Sequence, residues 1–194
     1  MEALKKIFVE KIGLSEDHFN IFIKMSHEKV FDKKELFIKE GKVCTIVGFI
    51  CSGLMRSFVE KDGKEFNTDF YFKDHFVSAY SSLITNLPSE HAIETLTDAK
   101  IIYLTKDQLN ELVAKDSAWL KFSKFLADFY LIRKCKREIS FLKYSAAERL
   151  QNMLIDYPEI EQIVSQYHIA SYLGIKPESL SRIKMAEFLA NRLY

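Results

Sequence analysis

Apolar positions along the chain follow two different rhythms, and the places where one gives way to the other outline the elements. Up to about Met25, apolar groups recur at helical spacing among charged ones: Leu4, Ile7, Phe8, Ile12 and Leu14, then Phe19, Phe22 and Ile23. This predicts two short helices. Ser15 stands where the second would start, without the Glu or Gln three residues on that completes a capping box. From Val30 to Leu104 short runs rich in Phe, Ile, Val and Thr are separated by Gly41, Gly48, Gly53, Asp62-Gly63 and Pro88. Regular turns of this kind predict an antiparallel roll or barrel. Asp62-Gly63, between SFVEK and KEFNTDFYF, is the sharpest hairpin signal. Alternation through FNTDFYF predicts one face made of Phe66, Thr68, Phe70 and Phe72.

Helical spacing returns at Thr105, which is placed to cap a helix reaching Leu112 with acidic Asp107 in its first turn. A longer helix is predicted from Asp116 or Ser117 through WLKFSKFLADFYLIRKCKREISFL. Within it Phe122, Phe125, Phe129, Ile132 and Ile139 recur at spacings of three, four, three and seven, a heptad-like seam. Trp119, Leu120, Leu126, Tyr130 and Leu131 place apolar groups on other faces. The helix therefore needs cover from two directions, one of which a second copy of the chain can supply. Lys143-Tyr144-Ser145 reads as a hinge, Ser145 with Glu148 as a capping box, and Pro158 as the stop of the helix between. That helix, with Ile160, Ile163 and Val164, forms an apolar floor for residues 166–184.

QYHIASYLGIKPESLSRIK, residues 166–184, divides at Gly174 into two amphipathic pieces. Ile169, Ala170 and Leu173 share one face of the first, and Leu180 and Ile183 one face of the second. Glycine closes a helix in the left-handed conformation at least cost, and Pro177 can open the next because its missing N–H is not needed there. Two helices joined by such a turn are the arrangement of a DNA-reading helix-turn-helix. The expected contact set is Gln166, Tyr167, Lys176, Glu178, Ser179, Ser181 and Arg182. In a major groove Arg182 suits guanine O6 and N7, Glu178 cytosine N4, and Ser179 a base or a phosphate. The alternative is that Glu178 and Arg182, four apart, pair with each other for roughly 0.2–0.5 kcal/mol.

YHIASYLGIKPESLSRIK resembles the helix-turn-helix of the Crp/Fnr family of bacterial transcription regulators, through Ile169, Ala170, Leu173, Gly174, Glu178, Ser179, Leu180, Ser181 and Arg182. FIKEGKVCTIVGFICSGLMRSF and FKDHFVSAYSSLITNLPSEHAIETLTDAKIIYLTKDQL are similar to the two halves of that family's cyclic-nucleotide-binding-type roll. The resemblance implies an α+β fold: a double-stranded jelly-roll-type antiparallel β-roll over 1–115, a long dimerisation helix over 116–143, and a helix-turn-helix domain over 144–194. It implies double-stranded DNA and a second copy as partners, with RNA polymerase a further candidate. Nucleotide-binding members open the phosphate segment with Gly-Glu and later supply an Arg. Here Ser78 and Ala79 stand at the first two places, and Glu90 or a neighbour at the third. Losing a charge-assisted bond to phosphate and gaining a carboxylate both disfavour a cyclic nucleotide, so cyclic AMP is not expected. The effector pocket would comprise Val77, Ser78, Ala79, Tyr80, Ser81, Ser82, Glu90 and His91. It either takes a different small molecule, with Tyr80, Ser81 and Ser82 as contacts, or is filled by its own side chains.

Composition adjusts this picture in a few places. The 194 residues carry a net charge of +1, so attraction to phosphate must be local, and Arg133, Lys134, Lys136 and Arg137 form one local excess. Cys44, Cys51 and Cys135 lack ligand spacing and are expected to be small buried hydrophobes. His18, His27, His75, His91 and His168 are scattered, and no nucleophile stands with an identifiable base. No metal, no resident cofactor and no enzymatic activity are expected. Without a leader-like start or a span-length apolar run the expected address is cytoplasmic, with no membrane partner. Beyond Lys184 the chain reads MAEFLANRLY, where many members of the resembled family add a β-hairpin wing. A truncated wing is expected, with an extended recognition helix packing Phe188, Leu189 and Leu193 inward as one outcome. The competing function is a small-molecule sensor or protein-interaction module with a vestigial DNA-binding domain.

Overall fold

The β-rich third of the sequence closes into two four-stranded sheets in the computed structural model, which describes residues 1–190. Strands β1 (His27–Phe31), β2 (Leu36–Ile38), β3 (Ile46–Ser52), β4 (Met55–Lys61), β5 (Lys64–Tyr71), β6 (Phe76–Val77), β7 (Ala92–Thr95) and β8 (Ala99–Thr105) are arranged β1-β8-β3-β6 and β2-β7-β4-β5. The β1–β8, β3–β8, β3–β6 and β2–β7 pairs are antiparallel. Asp62 and Gly63, at φ 54° and 70°, turn the β4–β5 hairpin, the paired left-handed conformation that a two-residue turn between twisted strands favours. At Gly53 any side chain is excluded as well, since a Cβ there would lie 2.4 Å from the Asp98 carbonyl oxygen.

Helices flank this roll. α1 (Glu2–Lys6) runs into a π-helical turn, Ile7–Ile12, and α2 (Glu16–Met25) follows. α3 (Tyr80–Thr85) leaves β6, and α4 (Lys106–Lys115) leaves β8 under a capping box of Thr105 and Gln108. A single 3-10 turn, Ser117–Trp119, leads into α5 (Leu120–Lys143), then α6 (Ala146–Asp156), α7 (Ile160–Ile163), α8 (Gln166–Leu173) and α9 (Pro177–Ala190). No helix among the described residues is long and apolar enough to cross a membrane.

The chain forms two compact units. One comprises Met1–Ser57 with Phe70–Arg133; the other comprises Phe58–Asp69 with the chain from Lys134 onward. The hairpin and α5 thus each contribute residues to both units.

The first unit has two apolar clusters. In one, Phe8 lies 4.8 Å from the ring of Phe22, 5.2 Å from Phe122 and 6.3 Å from Trp119, centroid to centroid. The other gathers Phe31, Ile50, Met55, Tyr71, Val77, Ile93 and Ile101. Burying each such side chain is worth about 1.5–3 kcal/mol. Phe122 is therefore a core residue, fully buried inside one chain, and not part of a dimer seam. Phe125 and Phe129 pack against the same cluster, both in contact with Phe76. A charged pair is also interior: Arg56, 2% exposed, donates from Nε and Nη2 to Glu94 Oε1 at 2.7 and 2.6 Å.

The second unit is centred on Leu150 and Met153 of α6, Ile160, Val164, Ile169, Ala170 and Leu173 of α8, and Leu180 of α9, all buried. Ile163, expected in this floor, is instead exposed. Phe188 and Leu189 are more than half exposed and do not pack inward; Leu193 lies outside the described residues. The expected alternation in β5 also fails, because Phe66 is exposed whereas Asn67 is 1% exposed and both Phe70 and Tyr71 are buried. Of the cysteines only Cys44 is fully buried, and Cys135 is exposed on α5.

Candidate functional site

The α8–turn–α9 segment is built from local rules that act in sequence. Ser165 Oγ accepts the His168 N–H and caps α8. Gly174, at φ 70° and ψ 30°, closes that helix in the left-handed conformation, and the Ile175 N–H returns to the Ala170 carbonyl at 3.0 Å. This satisfies carbonyls that a helix end otherwise leaves without partners. The Lys176 carbonyl then accepts from the Ser179 and Leu180 N–H groups and starts α9, with Pro177 as its first residue. Ala170, Leu173 and Leu180 are buried where the two helices pack, and the small Ala170 leaves room for the crossing.

This packing turns Gln166, Tyr167, Lys176, Glu178, Ser181 and Arg182 outward as exposed residues, with Ser179 half-buried. No ion pair joins Glu178 to Arg182 among the described residues, so the expected alternative, a mutually satisfied pair, is not formed. Lys184 faces elsewhere and pairs with Glu161.

Several residues that hold this segment carried no signal in the sequence pattern. The Asn67 N–H donates to Ser171 Oγ at 2.9 Å, and Ser171 Oγ donates to the Glu65 carbonyl at 3.1 Å. Asn67 Nδ2 donates to the His168 carbonyl at 2.9 Å. The tip of the β4–β5 hairpin is thereby tied to α8. Arg137 of α5 donates to the Asn67 carbonyl at 2.9 Å and to the Tyr172 carbonyl at 3.2 Å. Arg149 of α6 donates to the carbonyls of Tyr144 and Leu173, at 2.7 and 2.9 Å. Both guanidinium groups lie over the Phe141 ring, 4.8 and 4.7 Å from its centroid. A basic residue in a charged run reads as solvated; only the fold reveals that Arg137 and Arg149 are ties. Ser145 and Glu148 form the expected capping box at the start of α6. The Ser145 N–H, and then its hydroxyl, hold the Glu148 carboxyl below the usual glutamate range.

In the roll, three of the residues expected to line an effector pocket, Ser78, Tyr80 and Ser82, have side-chain partners within the chain. Val77, Ser78, Ala79 and Ser82 are buried, Tyr80 and His91 half-buried, and Ser81 and Glu90 exposed. Ser78 Oγ donates to the Ile46 carbonyl at 2.9 Å. Ser82 Oγ accepts the Cys44 N–H at 2.9 Å and donates to the Leu87 carbonyl at 2.5 Å. Tyr80 stacks on Tyr130 with centroids 4.6 Å apart, and burial pushes its phenol above the ordinary value. Among the described residues no group of three His, Cys, Asp or Glu side chains could hold a metal ion.

Along α5 Leu120 is exposed ahead of the buried Phe122 and Leu126, and a second set of exposed apolar positions, including Leu131, follows them. Ile132 and Ile139 of the expected seam are 55% and 53% exposed, and Leu142 is 82% exposed. With the exposed Cys135, they recur at spacings of three, four and three.

Residues 28–116 match the family model of the cyclic nucleotide-binding domain. The fold is similar to those of several solved structures, a putative regulator of the Crp/Fnr family among them. FixK2 from Bradyrhizobium japonicum superposes with a TM-score of 0.74 at 17% identity, over 86% of each chain. The c-di-GMP responsive global regulator CLP of Xanthomonas campestris gives 0.71 at 15% identity, over 92% of this chain and 94% of the other. A putative transcriptional regulator of the Crp/Fnr family from Eubacterium rectale gives 0.70 at 16% identity, over 91% and 85%. Curated protein sequences give no significant match.

Proposed function

We propose that this protein is a Crp/Fnr-type DNA-binding transcription regulator, acting as a homodimer on a palindromic site and not as an enzyme. The observation that carries the reading is the outward set on α8 and α9: hydrogen-bonding and charged side chains, not engaged with one another, presented by a helix pair braced from α5, α6 and the hairpin tip. A second copy docks along Ile132, Cys135, Ile139 and Leu142 of α5, which places two reading helices on half-sites about 34 Å apart. The Ser78 and Ser82 hydroxyls are already engaged within the chain, which supports a roll that has lost cyclic-nucleotide binding. If a different effector acts, α5 and the hairpin, the elements running from one unit into the other, are the routes by which it would bias a two-state equilibrium.

The deciding experiment is selection of sites from random duplex DNA by the full chain at near-physiological salt, with Arg182→Ala alongside. Recovery of a twofold-symmetric sequence, with R182A losing about 1–3 kcal/mol and relaxing one base pair, supports the reading. Absence of any preferred site, with or without cell metabolite extract, would favour the vestigial reading head. Oxidative cross-linking through Cys135 tests the dimer separately: wild type should yield a covalent dimer that Ile139→Glu abolishes.

A further inference from the structure

The outward line of α9 does not stop at Arg182. At 3.6 residues per turn, Glu178, Arg182, Met185, Ala186 and Leu189 fall within an arc of about 100°, opposite Leu180 and Lys184. Met185 is 59% exposed and Leu189 54%, so two large apolar side chains continue a stripe that begins with charged ones. Buried Leu180 and the Lys184–Glu161 pair fix the rotation of the helix, so the stripe cannot turn inward.

Helix rise limits what this stripe can meet. Glu178 to Met185 spans about 10.5 Å along the axis, and Glu178 to Leu189 about 16.5 Å. The major groove is about 12 Å wide. A helix entering by its N-terminal end therefore keeps Met185 within the groove, one turn beyond Arg182, and carries Leu189 past its edge. A thioether has no strong donor or acceptor for the polar edges of guanine, cytosine or adenine. The single apolar feature in that groove is the C5-methyl group of thymine.

We propose that Met185 is a specificity-determining residue that packs against a thymine C5-methyl next to the base pair met by Arg182. The inference rests on the DNA-reading role above. Its test uses the selected operator and a duplex in which thymines of one half-site are replaced singly by uracil, which keeps every hydrogen-bonding group and removes only the methyl. Wild type should lose roughly fourfold in affinity at one thymine, about the worth of one methyl group removed from water. Met185→Ala should bind the thymine and uracil duplexes equally, and Met185→Leu should retain the difference. A site that wild type selects but at which no thymine responds to Met185→Ala would overturn the proposal and leave the DNA reading intact. Equal weakening of M185A on every sequence, with loss of the dimer, would assign the stripe to a second copy and also overturn it. No selected site at all would overturn both readings together.

Discussion

Gly174→Ala tests the joint on which the reading segment depends. Two costs can be taken from the geometry. Placing a non-glycine residue at φ 70° costs roughly 1–2 kcal/mol. The new methyl would also sit 2.7 Å from Phe141 Cε1, closer than carbon atoms approach without displacement. Phe141 has limited freedom to yield, because Arg137 and Arg149 both lie over its ring and are themselves tied to backbone carbonyls. Overpacking of this kind costs about 1–3 kcal/mol. Phe141 is 41% exposed, so the lower half of that range applies and the total comes to about 2–4 kcal/mol. Urea unfolding of the full chain followed by circular dichroism measures it. Phe141→Leu in the same background should return about 1 kcal/mol, the steric part, and leave the backbone part. A loss below about 0.5 kcal/mol for G174A, or a double variant no better than the sum of the singles, would refute the reasoning.

Other parts of the structure make independent predictions. Glu148 has a lowered folded pKa, so its contribution is fully present above the ordinary glutamate range and is lost as pH falls through the folded value. Glu148→Gln, which removes the titrating carboxyl, should therefore lower stability at neutral pH and flatten the stability curve on acidification, read from melting midpoints between pH 7 and 3. Asn67→Leu removes the donor to the His168 carbonyl and should cost about 1–3 kcal/mol in urea unfolding. Unchanged stability would mean that the hairpin tip does not brace α8. Arg56→Met should cost about 3–5 kcal/mol by leaving the Glu94 carboxylate unpaired, with most of the loss recovered by adding Glu94→Leu.

What was legible in the sequence was what short-range chemistry decides. Thr105, Ser145 with Glu148, Asp62-Gly63 and Gly174 each act within a few residues, and each ends or starts an element where the pattern placed it. The readings that failed depended on what each side chain meets across the fold. Alternation in β5 misled because one strand serves two environments. Near Asn67 it meets α8 with polar groups, and at Phe70 and Tyr71 successive side chains are both buried. The expected seam joined positions of two kinds: Phe122 is core of its own chain whereas Ile132 and Ile139 are exposed, and spacing cannot tell which end of α5 the chain itself covers. The outward positions of α8 and α9 were legible because two helices joined by a short turn are a local motif. Their braces, Asn67, Arg137 and Arg149, were not, because each reaches distant backbone carbonyls.

The charge run in α5 shows how such ties bear on function. Of its four cations, Arg133 donates to the Phe70 carbonyl and Arg137 to those of Asn67 and Tyr172, so half of the expected local excess is structural. Lys134 and Lys136 remain exposed, and the turn and α9 present Lys176 and Arg182, while Lys184 pairs with Glu161. With Arg182 engaged by a base, only Lys176 of each copy neutralises a phosphate, and two contacts give a slope of log K against log salt of about −2. Adding Lys134 and Lys136 from each copy would steepen it to about −5. Between 50 and 200 mM salt these slopes correspond to losses of about 16-fold and about 1,000-fold, well separated in a binding titration. The near-neutral chain favours the shallow slope, with specificity resting on base-edge contacts rather than on attraction to the backbone. A slope near −5 would show that α5 lies along the duplex. A slope near zero on the selected site would be incompatible with any phosphate-contacting arrangement of α8 and α9, and with it the reading of this protein as a DNA-binding regulator would fall.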